Sequence, residues 1–377
     1  MTGDLLAQAR SAQSDQERTL LVIRDLLEDL SPELRAAAWA AAVPHWFESE
    51  ILAALLEVSP KEARSLYAQL IELPFVEPFA GRGHNVHELA RETMLADWWE
   101  TRREEYLALS ARAAEHFGAQ ETPEAQIERV YHLLVVDEDR GADALWNLGA
   151  EWNNAYQYDR AYALAQAGVE HVEAGRIKGR GAGWALYRMG QAQARLYLNQ
   201  EALENLRQAR GFARRDDPLR ANAISSLGDV HVMLAEYGEA RERYEQALPI
   251  YREIGDRLGE ANALFGLGDV HVKLAEYETA RPYYAQAQPI YREIGSRYNE
   301  ALALSGLGTV CLGEGDYLQA LALYRDAGQR FRALGVSERP GRWVTQEMLS
   351  DLRARLAEQP DLPGLRELVA ALEEWRG

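Results

Sequence analysis

Residues 221–260 follow one hydrophobic rhythm. Apolar side chains at Ala223, Ile224, Leu227, Val230 and Leu234 fall at three- and four-residue steps, which predicts an amphipathic helix. After a turn around Glu236–Gly238, Ala240, Tyr244, Ala247 and Ile250 predict a second helix, ending at Gly255 where a left-handed cap belongs. Residues 261–300 repeat the pattern without a gap, with 27 of 40 positions identical, and 301–340 form a weaker third copy. Glycines at Gly149, Gly190, Gly228, Gly268 and Gly308 are spaced 41, 38, 40 and 40 residues apart. An alanine follows each by twelve: Ala161, Ala202, Ala240, Ala280 and Ala320. The register extends the two-helix unit to about five copies over 141–340, an α-solenoid. Small residues at these points let paired helices approach closely. Pro249 and Pro289 fall inside the second helix of their units, where a missing N–H costs roughly 3 kcal/mol. Kinks or early helix ends are expected there.

The N-terminal third has no such period. Residues 17–30 predict a helix, and Ser31-Pro32-Glu33 supplies an N-cap and first-turn proline for another over 32–43. Ile51–Leu56 and Pro60–Glu72 predict two more. Phe75–Phe79, the turn 80–83 and His84–His87 predict a small β-hairpin. Helices plus a two-stranded wing make a winged-helix domain over 17–91, after an N-terminal extension at 1–16. Connecting helices over 92–140 lead into the repeats. Two short helical patterns broken at Pro360 and Pro363 predict a cap over 341–377.

Leu227-Gly228, Ala240 and Ala247 stand at positions seven, eight, twenty and twenty-seven of their unit. That pattern resembles the tetratricopeptide repeat in its long, 40-residue form. The strings LSPELRAAAWAAAV, ILAALL, ELPFVEPF and VHELARETML resemble the winged helix of STAND-class signal-transduction ATPases. The resemblance covers roughly 17–135, and the order winged helix then repeats is that of the C-terminal portion of such proteins. It implies a mainly α fold: a winged helix with a small β-wing, followed by a superhelical tetratricopeptide solenoid. It also implies a non-enzymatic sensor and scaffold module of a STAND-like regulatory or defence protein, with an NTPase domain as a possible upstream partner.

The chemistry along the chain narrows this. The NTPase engine needs GxxxxGK(S/T), and none of Lys61, Lys178 and Lys273 stands in that setting. The glycine-rich stretch 175–183 lacks the spacing and the hydroxyl. His87-Glu88 opens an HExxH pattern that Arg91 breaks. His84 and His87 have no third ligand and are expected to face solvent. His231 and His271, on units about 10 Å apart, cannot share one zinc. The lone Cys311 excludes an intramolecular disulfide. No metal, cofactor or catalytic constellation is therefore expected. The net charge of −18 argues against general nucleic-acid or membrane binding. The rival reading, a transcription regulator whose wing contacts DNA, needs several cations on one face. Residues 1–120 carry 11 Lys/Arg against 20 Asp/Glu, and Lys61 and Arg64 on the candidate recognition helix are offset by Glu62 and Glu72. With no basic-then-apolar leader and no apolar run near 18 residues, a cytoplasmic protein is expected.

In tetratricopeptide repeats the first helix of each unit lines a concave groove, at positions two, five, nine, twelve and thirteen. Carried over, the resemblance implies a partner-binding groove of Trp146, Asn153 and Asn154 from the first unit. The second gives Trp184, Tyr187, Gln191 and Arg195. Asn222, Ser225, Asp229 and Met233 follow from the third, and Asn262, Phe265, Asp269 and Lys273 from the fourth. Amides and aromatics in that pattern suit an extended protein or peptide segment, and the two aspartates favour a neutral or basic one.

Overall fold

A computed structural model describes residues 11–213, 218–336, 344 and 346–374. Residues 1–10 of the expected N-terminal extension lie outside this set, as do Trp343 and Trp375 at the ends of the expected cap. Nineteen helices and one two-stranded hairpin are found among the described residues. Packing divides the chain into two compact units, one through Ala192 and one from Gln193.

The first unit opens with α1 (Asp15–Glu28), α2 (Pro32–Ala42), α3 (Ser49–Leu56) and α4 (Pro60–Leu70). Ser31 and Ser59 cap α2 and α4, each hydroxyl accepting from the backbone N–H three residues on, with proline in the first turn. Strands β1 (Val76–Pro78) and β2 (His84–Val86) pair antiparallel, Val76 opposite Val86. The turn between them needs left-handed backbone, which Gly81 and Gly83 supply at φ +79° and +72°. The sequence pattern missed a further bridge: Phe47 N–H donates to the His84 carbonyl at 2.7 Å, and His84 N–H donates back at 3.2 Å.

Next come α5 (Glu88–Thr101), α6 (Arg103–Gly118) and α7 (Pro123–Val136). Leu52, Leu70, Val86, Met94, Tyr106 and Phe117 share one buried core, so the hairpin and the helices on both sides of it are packed as one body. Helices α8 (Glu138–Asn154) and α9 (Tyr158–Glu173) pack as a pair, and α10 (Arg180–Arg195) follows.

The second unit holds α11 (Asn199–Phe212), then three full pairs. These are α12 (Pro218–Met233) with α13 (Tyr237–Ile254), α14 (Arg257–Lys273) with α15 (Tyr277–Glu293), and α16 (Arg297–Glu314) with α17 (Tyr317–Ala333). The cap is α18 (Gln346–Glu358) and α19 (Leu365–Glu374), whose Leu352, Leu365 and Leu368 pack on Tyr317 and Leu321. Ala240, Ala280 and Ala320 are fully buried, as their recurrence requires.

Two expectations change. The helices do not end early at the prolines: α13 runs through Pro249, and α15 runs through both Pro282 and Pro289. Pro249 and Pro289 sit on exposed positions, where water can reach the carbonyl that loses its N–H partner. His84 is not solvent-facing, because its Nδ1 is 2.7 Å from the Tyr67 hydroxyl and its ring is half-buried.

Candidate partner-binding surface

The second unit builds its polar stripe from the inside out. Each of α12 and α14 carries a glycine against which the tyrosine of the following helix lies flat. A Cβ on Gly228 would stand 2.9 Å from the Tyr244 ring, and one on Gly266, in the next repeat, 2.7 Å from it. Tyr284 is held the same way between Gly268 and Gly306, at 2.8 and 2.6 Å. Rings wedged between two helices leave only the phenol tip to emerge, and that tip finds an acid. Tyr244 donates to Asp229 Oδ1 at 2.7 Å and Tyr284 to Asp269 Oδ1 at 2.5 Å. Two helical turns away, Tyr251 donates to Asn222 Oδ1 at 3.0 Å and Tyr291 to Asn262 Oδ1 at 2.8 Å.

These bonds fix orientation. An amide whose oxygen is taken by a phenol must turn its NH2 the other way. Burial and then Asp229 push the Tyr244 hydroxyl well above its ordinary pKa, so it is a permanent donor at neutral pH. Solvent reaches Asp229, yet the surrounding protein raises its carboxyl above the usual aspartate value. The Tyr244 hydroxyl and Arg195 oppose that rise. The ladder stops in the next repeat: Leu302 stands where the asparagines were, Phe331 replaces the second tyrosine, and buried Thr309 partners Tyr324 at 3.0 Å.

The expected groove residues separate by exposure. Asn154, Arg195, Asp229, Met233, Asn262 and Lys273 are exposed; Trp146, Asn153, Gln191, Asn222, Phe265 and Asp269 are half-buried. Trp184 and Tyr187, each 3% exposed, and Ser225, 8% exposed, are buried, which corrects their placement as groove-lining contacts. The cause in the first unit is an aromatic cluster. Trp146 and Trp184 lie 4.4 Å apart, Arg188 sits over Trp146 at 4.3 Å, and its Nη2 donates to the Trp146 carbonyl at 2.6 Å. Gln191 Nε2 donates to the Tyr187 hydroxyl at 2.7 Å. Those side chains are committed to packing α10 on α8.

His231 and His271 are buried, and each places Nδ1 2.6 Å from a glutamate five residues on, Glu236 or Glu276. They close the turn of their own unit. Among the described residues no three His, Cys, Asp or Glu side chains gather as a metal site would need. No described helix is long and apolar enough to cross a membrane.

The first unit contains a charged cluster that the sequence did not reveal. His45, in the loop after α2, contacts Glu128 of α7 through Nδ1 and Glu170 of α9 through Nε2, the latter at 2.8 Å. Arg91 of α5 donates to Glu170 at 2.9 Å and to the Tyr131 hydroxyl at 2.9 Å. Tyr131 in turn donates to Glu170 at 2.7 Å. Burial alone would lower the His45 pKa; Glu128 overcomes this, and with Glu170 pushes it up to about 9 despite Arg91. Burial would raise both carboxyls, but His45 drives Glu128, and Arg91 with His45 drives Glu170, far below the carboxylate range. Arg91, the residue that broke the HExxH pattern, thus belongs to a clamp tying α5 and the loop after α2 to α7 and α9. A buried arginine and glutamates on otherwise apolar helix faces were the available signal, visible only once the faces are known.

The tetratricopeptide repeat model matches residues 181–253, 219–293 and 259–333. A curated relative, the 43 kDa receptor-associated protein of the synapse from Tetronarce californica, is 31% identical over 124 residues. That match covers 30% of this chain and 29% of the relative, so the chain spans less than a third of the relative's length. Among solved structures, a signal-transduction ATPase (STAND) protein with a tetratricopeptide repeat sensor from Pyrococcus horikoshii aligns at TM-score 0.39 and 16% identity. It covers 99% of this chain and 64% of that one. A Rap protein complexed with Competence and Sporulation Factor aligns at TM-score 0.46 and 14% identity, over 93% of this chain and 88% of that one.

Proposed function

We propose that this chain is a recognition module. Its tetratricopeptide repeats bind a protein or peptide segment along the first helices of the second unit. Its N-terminal helices and hairpin serve as a winged-helix linker in a STAND-like regulatory or defence protein, to which an NTPase domain is the implied partner. The observation that carries this is the repeated stripe Asn222, Asp229, Asn262, Asp269, each oriented by a tyrosine hydroxyl from behind. Four polar groups preorganised at a solvent-reachable surface spare a ligand the ordering of its receptor.

The test is site-specific photo-crosslinking in cells. A benzophenone side chain at Met233 or Asn262 is expected to give a discrete adduct. The same group at Glu245 or Gln286, exposed on the second helices, is expected to give none. Adducts from the second pair alone overturn the reading.

A further inference from the structure

We infer that the segment read by the second unit is an extended, basic one, carrying two lysine or arginine side chains three residues apart. This rests on the recognition reading above and names the ligand class that its surface takes.

Three observations lead there. The acids recur once per repeat, Asp229 on α12 and Asp269 on α14, each at position nine of its unit. Each has one oxygen held by a tyrosine hydroxyl, a partner that can only donate to a carboxylate. The phenol donors therefore hold two carboxylates in line, one per repeat, on the first helices. Equivalent points on stacked repeats lie roughly 10 Å apart, and an extended chain rises about 3.3 Å per residue. A cation at residue i over Asp229 thus places residue i+3 over Asp269.

Second, Ser225 lies on the same stripe, between Asn222 and Asp229 at three- and four-residue steps. It is 8% exposed and packs beneath the stripe, leaving Asn222 and Asn262 as the polar neighbours that reach solvent. The Asn222 and Asn262 amides, turned outward by their tyrosines, offer a main chain hydrogen-bonding groups beside the two acids.

Third, the field favours cations. Residues 221–300 carry 8 Lys/Arg against 13 Asp/Glu. Of the cations, Arg252, Arg257 and Arg292 are paired with Glu260, Glu293 and Glu300 at the ends of the second helices. Lys273 stands one helical turn beyond Asp269 on α14, and Arg195 of α10 acts on the charge of Asp229, so the acidic row is bounded by cations that repel a ligand cation placed out of register.

The experiment is selection from a random dodecapeptide phage library on the full chain, in parallel with the full chain carrying Asp229→Asn and Asp269→Asn. These changes keep shape and leave an acceptor for each tyrosine. Lys/Arg pairs at three-residue spacing are expected to rise at least tenfold over the input on the wild type and to vanish on the variant. A synthetic peptide from the enriched set, measured by fluorescence anisotropy, should lose at least tenfold affinity to either single variant. It should lose affinity again when its lysines become glutamates. Enrichment of acidic or uncharged peptides that still depend on Asn222 and Asn262 overturns the basic class and leaves the recognition reading standing. Enrichment of nothing overturns both.

Discussion

Gly266→Ala is the sharpest probe of how the recognition stripe is built. The added methyl would lie 2.7 Å from Tyr244 Cζ, and the ring cannot retreat because Gly228 backs it from the other side at 2.9 Å. Overfilling a packed site costs about 1–3 kcal/mol. Against this, alanine recovers about 0.5–1 kcal/mol of helix preference over glycine. The middle of the two ranges leaves a net loss of about 1 kcal/mol, or roughly 2–4 °C in Tm for a unit of this size. Gly211→Ala is the internal control, since nothing stands within 4 Å of its added methyl. It should leave Tm unchanged or raise it. Differential scanning calorimetry of both variants separates the steric term from the helix term. Because Tyr244 donates to Asp229 at 2.7 Å, the displaced ring should also lower the affinity of any ligand of the stripe. If Gly266→Ala melts at or above Gly211→Ala, the ring has room to move and the account of the slot is wrong.

Two further outcomes follow from the same coordinates. The His45 pKa is raised in the fold, to about 9 against an ordinary 6.5, so its contribution is complete below 6.5 and lost as pH rises through 9. Urea melts of wild type and His45→Gln should differ most near pH 6 and converge above pH 9; a gap that persists at pH 10 refutes the charged clamp. Pro249→Ala and Pro289→Ala restore a helix N–H at exposed positions. Each should raise stability by about 2 kcal/mol, from a penalty of about 3 less the chain entropy that proline removes from the unfolded state. A loss in chemical denaturation would mean that the proline geometry is needed for stacking.

The repeat was legible because duplication writes the same spacing several times: the Gly228, Gly268 and Gly308 register alone locates the helix pairs and their close approach. The hairpin was legible from Gly81 and Gly83. At the prolines only the early-end alternative fails, since a local penalty says nothing about the tertiary contacts that carry a helix through it. In the candidate surface, the positions of Asn222, Asp229, Asn262 and Asp269 came from register. Their tyrosine partners did not, because Tyr244 and Tyr251 fit the apolar face of α13 and a phenol's polar end leaves no mark on periodicity. Trp184 and Tyr187 were misplaced for the converse reason: an aromatic at a groove position can turn inward when Arg188 and Trp146 offer it packing. The His45, Arg91, Glu128 and Glu170 clamp joins residues up to 125 positions apart, and no local pattern encodes that.

The central claim is that the polar stripe of the second unit is where a partner binds. Its most direct measurement is isothermal titration of a partner identified by crosslinking against two double variants. Asp229→Lys with Asp269→Lys should weaken binding by at least tenfold, with helical circular dichroism unchanged. Glu245→Lys with Gln286→Lys, on exposed positions of the second helices, should leave it as in the wild type. The opposite pattern, binding kept by the first pair and lost by the second, would contradict the account and move the site to the outer helices.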